Sequence, residues 1–223
     1  MRLNYEERFS DSPYVEKIGR FRVEADYSHS CPANILWNML LVKYKGKTSL
    51  SAWGPETKSG MMTYPKDAEF LFIQFKLGSF MPNLPIRKDT GLLLPDATGQ
   101  SFWLDSSTWQ FPDFENADTF VDWLVHDGLL VHEPIVEAVL QDHPQTLSSS
   151  AVRHRFLRAT GVTQSYIRQL EQAQQAANLL AQGVSILDAV DQAGYADQPH
   201  LTRSLKRLIG YTPAQIARAS ESE

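Results

Sequence analysis

The sequence predicts a two-domain α+β protein in which a β-rich domain is followed by an all-α domain. Short apolar runs, interrupted by Gly, Pro and Asp, fill the first half of the chain, which is typical of an antiparallel sandwich or barrel. From about residue 115 the apolar residues recur at helical spacing instead. The change near residues 111–116 predicts a β-rich domain at residues 1–112 and a helical domain at residues 117–223.

Composition and length are those of a globular protein with a substantial core. The 223 residues are 43% hydrophobic and 21% charged, without an apolar run long enough for a membrane span. The N-terminus lacks the basic-then-apolar pattern of a secretory signal. The single cysteine, Cys31, fits a reducing compartment. We therefore expect a cytoplasmic protein with no membrane partner.

Charge is distributed unevenly along the chain, whose net charge is −5. Residues 1–147 hold 13 Lys and Arg against 20 Asp and Glu, whereas residues 148–223 hold 8 against 6. Basic clusters lie at residues 153–158 and 203–207. This asymmetry indicates an anionic partner for the C-terminal part, although many solvated helices have a similar charge.

Apolar and alternating runs predict the strands of the first half. They lie at residues 34–44, 47–53 and 68–78, with two shorter pieces within residues 91–105. Turn residues separate the runs, so we expect neighbouring strands to pair in an antiparallel sheet.

Helical spacing and capping residues predict the helices of the second half. Gly128 and Gly161 each follow a last helical turn, and Ser185 with Asp188 has the spacing of a capping box. Asp197 or Gln198 is expected to cap the last major helix, with Pro199 in its first turn. The predicted helices cover residues 115–128, 134–143, 147–161, 164–182 and 185–194, and the last begins near residue 199.

The last two of these helices have the form of a helix-turn-helix unit, a helix, a tight turn containing Gly and a second helix. On a helical wheel the second helix carries an apolar side and an opposite polar side. Arg on such a helix can bind guanine O6 and N7, and Gln can bind adenine, whereas Lys206 and Arg207 suit phosphates. The apolar side holds Leu201, Leu205, Leu208 and Ile209, and the polar side holds Pro199, Arg203, Lys206 and Arg207, flanked by His200 and Thr202.

Residues 147–161 repeat this arrangement after the helix that begins at Pro134. Val152, Phe156 and Ala159 face inward, while Ser150, His154 and Arg158 point outward. A solvated amphipathic surface remains the alternative to a DNA-reading one for both helices.

The stretch GYADQPHLTRSLKRLIGYTPAQI, at residues 194–216, resembles the signature of the AraC/XylS family of bacterial transcription regulators. The resemblance covers about residues 117–219 and implies two helix-turn-helix units that enter successive major-groove segments. It implies base contacts from Ser150, Arg153, His154, Gln198, Pro199, His200, Thr202 and Arg203, and we expect phosphate contacts from Arg155, Arg158, Lys206 and Arg207.

Three features depart from the family pattern. The connecting helix often carries an Arg near Gln172, which this chain lacks. The first reading helix begins with three serines, which leaves its base preference open, and Pro199 cannot donate a hydrogen bond.

The first half is more weakly similar to the N-terminal region of a subgroup of the family, at residues 12–24 and 53–58. That similarity implies a degenerate cupin-like β-barrel, a sensor or oligomerisation domain that in some members binds a small effector. Aromatic residues are candidates for lining such a pocket, with core packing as the alternative reading. The candidates are Trp37, Trp53, Tyr64, Phe72, Phe75 and Trp103.

Enzyme motifs are absent from the sequence. Before residue 126 the only histidine is His29, so a His-rich metal site cannot be built in the β-rich half. Neither a nucleophile elbow nor a phosphate-binding loop occurs, and Ser106 and Ser107 read as turn residues. We therefore expect no catalysis, no cofactor and no metal.

These observations together predict a bacterial, sequence-specific DNA-binding transcription regulator, modulated by a small-molecule effector in the N-terminal domain. Its expected partners are double-stranded promoter DNA, an effector, RNA polymerase if it is an activator, and a second copy in a homodimer. Two alternatives stay open for the N-terminal domain, a small-molecule enzyme or carrier and a dimerisation module alone, each tethered to DNA by the C-terminal domain.

Overall fold

The structure is a computed structural model that describes residues 3–85 and 88–220. Within these residues a β-rich region precedes a helical region, which confirms the predicted fold class. In chain order the elements are β1 Leu3–Arg8, β2 Val15–Val23, β3 Tyr27–Cys31, β4 Asn38–Tyr44, β5 Lys47–Trp53, β6 Gly60–Tyr64, β7 Glu69–Phe75, β8 Ser79–Phe80, β9 Gly91–Leu93, β10 Ser101–Leu104, β11 Ser107–Gln110, α1 Ala117–His126, β12 Val131–His132, α2 Ile135–Leu140, α3 Ser149–Thr160, α4 Gln164–Ala181, α5 Ile186–Gln192, α6 Gln198–Leu208 and α7 Pro213–Ser220.

The principal sheet has six strands in the order β1-β2-β7-β4-β5-β9, and each neighbouring pair is antiparallel. Three two-stranded sheets accompany it, β3 with β6, β8 with β12 and β10 with β11. Among the described strands, β1 and β9 are the edges of the principal sheet and do not pair with each other. The predicted β-rich region is therefore present as an open sheet, and the barrel is not closed.

Alternation along the strands gives the sheet two apolar faces. Cross-strand pairing places Met39 beside Ile73, and both side chains are about 1% exposed. We call this side the Ile73 face. Pairing also places Leu40 beside Phe72 on the opposite side, the Phe72 face. On that side Phe21 stacks on Phe70, with ring centroids 4.6 Å apart.

Seven of the described strands are not among those that the sequence predicts: β1, β2, β3, β6, β8, β11 and β12. In β2 a register shift between Val15 and Lys17 breaks the simple alternation. As a result Val15 and Ile18, three positions apart, are both fully buried. β3 is short and carries three polar residues, and β6 is short and begins with glycine, so both give a weak strand signal.

The helices begin where the sequence places capping residues. Asp197 caps α6, since its carboxylate accepts from the backbone N–H of His200 at 2.6 Å. Ser185 caps α5 in the same way, accepting from Asp188 N at 3.1 Å. Ser148 and Thr163 cap α3 and α4. The predicted capping sites of α5 and α6 are thus confirmed.

The contacts group the chain into two compact units. The first comprises the chain up to Tyr27, Ile35–Pro55 and Thr63–Val162. The second comprises Ser28–Asn34, Glu56–Met62 and the chain from Thr163 onward. The division between residues 112 and 117 stays a prediction, and the contacts draw a different one: α1 to α3 belong to the first unit, and two segments from the β-rich half belong to the second.

Candidate nucleic-acid interface

The second helix-turn-helix unit consists of α5, a short turn and α6. Leu201, Leu205 and Leu208 of α6 are buried, as the predicted apolar side requires. Ala189 of α5 is fully buried as well, which allows the two helices to approach closely. The apolar side of α6 therefore faces the core of this unit.

Tyr195, in the turn between α5 and α6, fixes the start of α6. Its hydroxyl lies 2.9 Å from Ser204 Oγ, and its ring meets the His200 ring edge-on at 5.0 Å. Burial raises the pKa of Tyr195 above its ordinary value of 10.0, although the bond to Ser204 opposes the shift. The sequence pattern predicts no role for Tyr195.

The polar side of α6 is open to solvent. Thr202 is half-buried, and its hydroxyl donates to Gln198 O at 2.8 Å, so the hydroxyl can only accept from a further partner. The exposed predicted contacts are Gln198, Pro199, His200, Arg203, Lys206 and Arg207.

Gln172 of α4 holds the α5–α6 turn. Its side-chain amide donates to Ala193 O at 2.9 Å and to Gly194 O at 3.0 Å. This is the position near which the family often carries an Arg, so the amide supplies backbone hydrogen bonds without a charge. The departure noted in the sequence therefore leaves the turn fastened to α4.

The first helix-turn-helix unit consists of α2 and α3. Phe156, Ala159 and Thr160 of α3 are buried. The predicted base-contacting residues Ser150, Arg153 and His154 are all exposed. The structure thus leaves the predicted polar side of α3 accessible, as it does for α6.

Three of the four predicted phosphate contacts have partners within the chain. Arg155 donates two hydrogen bonds to the Glu133 carboxylate, Nε to Oε2 and Nη2 to Oε1, both at 2.8 Å. Arg158 lies over the Phe80 ring at 5.8 Å, and Arg207 lies over the Tyr166 ring at 6.0 Å. Among the described residues, Arg153, Arg203 and Lys206 form no ion pair.

Glu133 is the residue that the sequence analysis missed in this unit. Its side chain is only 14% exposed, and the bidentate pair with Arg155 joins the start of α2 to α3. The sequence pattern predicts that Arg155 contacts DNA. It does not reveal the ion pair with Glu133, because the two residues are 22 positions apart and such a pair leaves no local signal.

The six candidate pocket residues do not share one surface. On β7, Phe72 and Phe75 lie on opposite faces, and Phe75 is fully buried. Trp37 is also buried, and its indole N–H donates to Ala159 O at 3.1 Å. Trp103 lies in the separate β10–β11 hairpin and is 46% exposed.

Trp53, Tyr64 and Phe72 are the candidates that remain on the Phe72 face. Trp53 lies opposite Asn38, which pairs with Gln74 on β7, two residues along from Phe72. Tyr64 packs edge-on against Phe70, with ring centroids 5.2 Å apart. All three side chains are partly exposed.

A cavity that the sequence analysis did not predict opens on the Ile73 side of the sheet. Its volume is about 410 Å³, and Arg20, Arg22, Glu69 and Phe114 contribute to its wall. Arg20 forms ion pairs with Glu6 and Glu115, each at 2.8 Å, so these three charges of the cavity wall are paired. In the part of the chain that the structure describes, no group of three or more His, Cys, Asp or Glu residues could hold a metal ion.

None of the described helices is both long enough and apolar enough to cross a bilayer.

Residues 146–219 match the model of a family described as a helix-turn-helix domain. No curated protein matches the sequence. Similar solved structures include ToxT from Vibrio cholerae, at 10% identity and a TM-score of 0.40 over 96% of this chain and 98% of that one. Apo ToxT K231A from Vibrio cholerae strain SCE256 is 11% identical, with a TM-score of 0.39 over 95% and 99% of the two chains. ToxT from Vibrio cholerae O395 bound to (E)-4-(8-methylnaphthalen-1-yl)but-3-enoic acid is 12% identical, with a TM-score of 0.37 over 97% and 99%.

The matched residues span α3 to α7 and contain the signature stretch at residues 194–216. Residues 146–219 of this chain therefore match a helix-turn-helix domain, as the signature stretch within them predicts.

Proposed function

We propose that this chain is a sequence-specific DNA-binding transcription regulator whose helices α3 and α6 read base edges in the major groove. The observation that carries the proposal is the exposed polar side of α6, within a matched helix-turn-helix domain whose sequence resembles the AraC/XylS signature. Long donors project from a helix whose opposite side is locked into a core, which is the arrangement that direct readout needs.

Residue chemistry suggests distinct roles along α6. Arg203 is suited to guanine O6 and N7, and Gln198 to adenine N6 and N7. Pro199 offers only apolar contact, which suits a thymine methyl group. The His200 ring packs nearly perpendicular to the Tyr195 ring, and this contact restricts its orientation. In the first unit the corresponding contacts come from Ser150, Arg153 and His154.

The phosphate contacts are assigned to basic side chains whose donor groups are not taken up by an ion pair among the described residues. Lys206 is exposed, and the structure gives it no ion pair among the described residues, so it is the strongest candidate. Arg158 and Arg207 pack over aromatic rings, which still leaves guanidinium N–H groups for phosphates. Arg155 holds α2 to α3 through Glu133 and is better described as a structural residue.

We also propose that a small-molecule effector modulates the protein through the β-rich region. The Phe72 face suits such a ligand because Trp53, Tyr64 and Phe72 are partly exposed there. A ligand changes DNA affinity only if it binds the two conformational states differently. Thermal unfolding with metabolite pools, in wild type and in Phe72→Ala, tests this: a ligand-induced rise in Tm that the variant loses supports the site, and no rise with any pool contradicts it.

Selection of sheared genomic DNA by the purified protein tests the regulator proposal. Arg203→Ala and Arg153→Ala are compared with wild type, and Arg22→Ala, an exposed arginine of β2, is the matched control. We expect wild type and the control to enrich one motif, and each reading-helix variant to lose the base preference at the position that its arginine reads. Equal enrichment by all four proteins would contradict the proposed readers.

A further inference from the structure

We propose that two segments from the middle of the β-rich half, residues 28–34 and 56–62, are a working part of the DNA-reading unit and position helix α6. We call them the β3–β6 ribbon. This inference rests on the proposed function, since it concerns how the reading helix is held. Both segments belong to the compact unit that contains α4 to α7.

The ribbon is a paired structure in its own right. β3 pairs with β6, and beyond them Asn34 and Glu56 exchange two backbone hydrogen bonds, at 3.0 and 2.7 Å. Three residues separate Asn34 from the start of β4, and two residues separate the end of β5 from Glu56. The ribbon is therefore the continuation of the β4–β5 hairpin, whose distal part lies within the principal sheet.

The ribbon satisfies the C-terminal carbonyl groups of α6. The last four carbonyls of a helix have no partner within the helix and usually bind water or a local turn. Here Leu205 O accepts from the following turn, from Ile209 N at 2.8 Å and Gly210 N at 2.9 Å. The other three accept from the ribbon: Lys206 O from Ser59 Oγ at 3.2 Å, Arg207 O from Ser59 N at 2.8 Å and Leu208 O from Ala33 N at 2.7 Å.

The backbone and the side chains of Lys206 and Arg207 thus have different partners. Their carbonyl groups are bound by Ser59 of the ribbon, while their side chains are exposed on the side of α6 assigned to DNA. A shift of the ribbon would move the backbone of the residues proposed to set the position of α6 on the phosphates.

Gly210 permits the close approach of the ribbon. Its φ is +93°, and a Cβ built there would lie 2.0 Å from Ser30 Oγ and 3.2 Å from Ser59 Cβ. Both the backbone conformation and the contact therefore require glycine. The ribbon is also tied to α4, because the Tyr166 hydroxyl donates to Thr57 O at 2.8 Å.

These contacts make Ser59 and Ala33 positioning residues for α6. The same chain runs directly into β4 and β5, so the ribbon is covalently continuous with the principal sheet. The β-rich half of the sequence therefore supplies part of the DNA-reading unit.

Gly210→Ala in the full chain is the main test, with Gly183→Ala as the matched control. Gly183 also has a positive φ, +85°, but a Cβ there meets nothing within 4 Å. Both variants carry the backbone strain, and only Gly210→Ala displaces the ribbon. On the DNA that wild type selects, we expect Gly210→Ala to bind about tenfold more weakly than the control, with loss of discrimination at the bases that α6 reads.

Ser30→Gly, which removes the side chain that blocks the new Cβ, is expected to restore most of that loss in the double variant. Equal binding by Gly210→Ala and Gly183→Ala overturns the proposal. A loss that Ser30→Gly does not restore even in part overturns it as well, because relief of the closest contact between the new Cβ and the ribbon then has no effect.

Amide hydrogen exchange keeps the test decisive if Gly210→Ala does not fold or if no DNA sequence is selected. Ser59→Ala and Tyr166→Phe each remove one ribbon bond, and Ser165→Ala, an exposed serine of α4, is the control. We expect exchange in the last turn of α6 to be about two- to tenfold faster in the two ribbon variants. Exchange equal to the control in both overturns the ribbon, whereas failure of selection by wild type alone counts against the proposed function.

Discussion

At the scale of single residues, two neighbouring side chains on α6 are expected to act on DNA in different ways. Arg203 projects from the exposed side, so Arg203→Ala should cost about 1–3 kcal/mol and relax the preference at one base position. Affinities for the selected site and for its single-base variants measure this. An equal loss for every sequence would show that Arg203 contacts the DNA backbone.

Lys206 provides the opposite expectation. Lys206→Ala should weaken binding to all sequences alike and reduce the slope of log affinity against log salt by about one phosphate contact. Titration with specific and with scrambled DNA at several salt concentrations checks both effects. A loss confined to the selected site would contradict the phosphate role.

Local sequence signals were sufficient for α6 and insufficient for the residues that hold it. The Asp197 cap, Pro199 in the first turn and the leucine spacing all lie within the helix, so they could be read directly. Gln172, Ser59 and Glu133 act through contacts with residues far along the chain, and no periodicity marks them. The same reason explains why Arg155 was assigned to phosphate.

At the scale of elements, the Glu133–Arg155 pair joins α2 to α3. Glu133→Gln should lower the free energy of unfolding by about 1 kcal/mol, because it removes the charge from a bidentate pair whose acidic side chain is mostly buried. Urea unfolding compares it with Glu137→Gln, an exposed position on α2. Equal urea midpoints for the two variants would contradict the structural role. If Arg155→Ala reduced the slope of log DNA affinity against log salt, Arg155 would be a phosphate contact, as the sequence predicts.

Ionisation of Tyr195 in the α5–α6 turn should lower the free energy of unfolding at alkaline pH. Burial raises the pKa of Tyr195 above 10.0, so its contribution to stability is complete below about pH 10 and is lost as pH rises through the folded-state pKa. Urea unfolding from about pH 9 to 11 should therefore show wild type losing stability relative to Tyr195→Phe. A difference that stays constant with pH would contradict this.

At the scale of the whole molecule, the order of a β-rich region and a helical region could be predicted because the change from short alternating runs to helical spacing is visible in the sequence. The open form of the sheet could not be predicted from the sequence, because closure into a barrel depends on whether the edge strands β1 and β9 pair. Nor could the grouping of residues 28–34 and 56–62 with α4 to α7, which depends on backbone hydrogen bonds such as Ser59 to Arg207. Backbone bonds of that kind leave no side-chain pattern.

Methylation protection of guanine N7 on the selected DNA distinguishes two reading helices from one, because N7 lies in the major groove. Wild type should protect two separate groups of guanines, one in each of two major-groove segments. Arg203→Ala should lose protection in one group and Arg153→Ala in the other, with Arg22→Ala unchanged. A single protected group, or loss of both groups in either variant while its fold is intact, would contradict two independent reading helices.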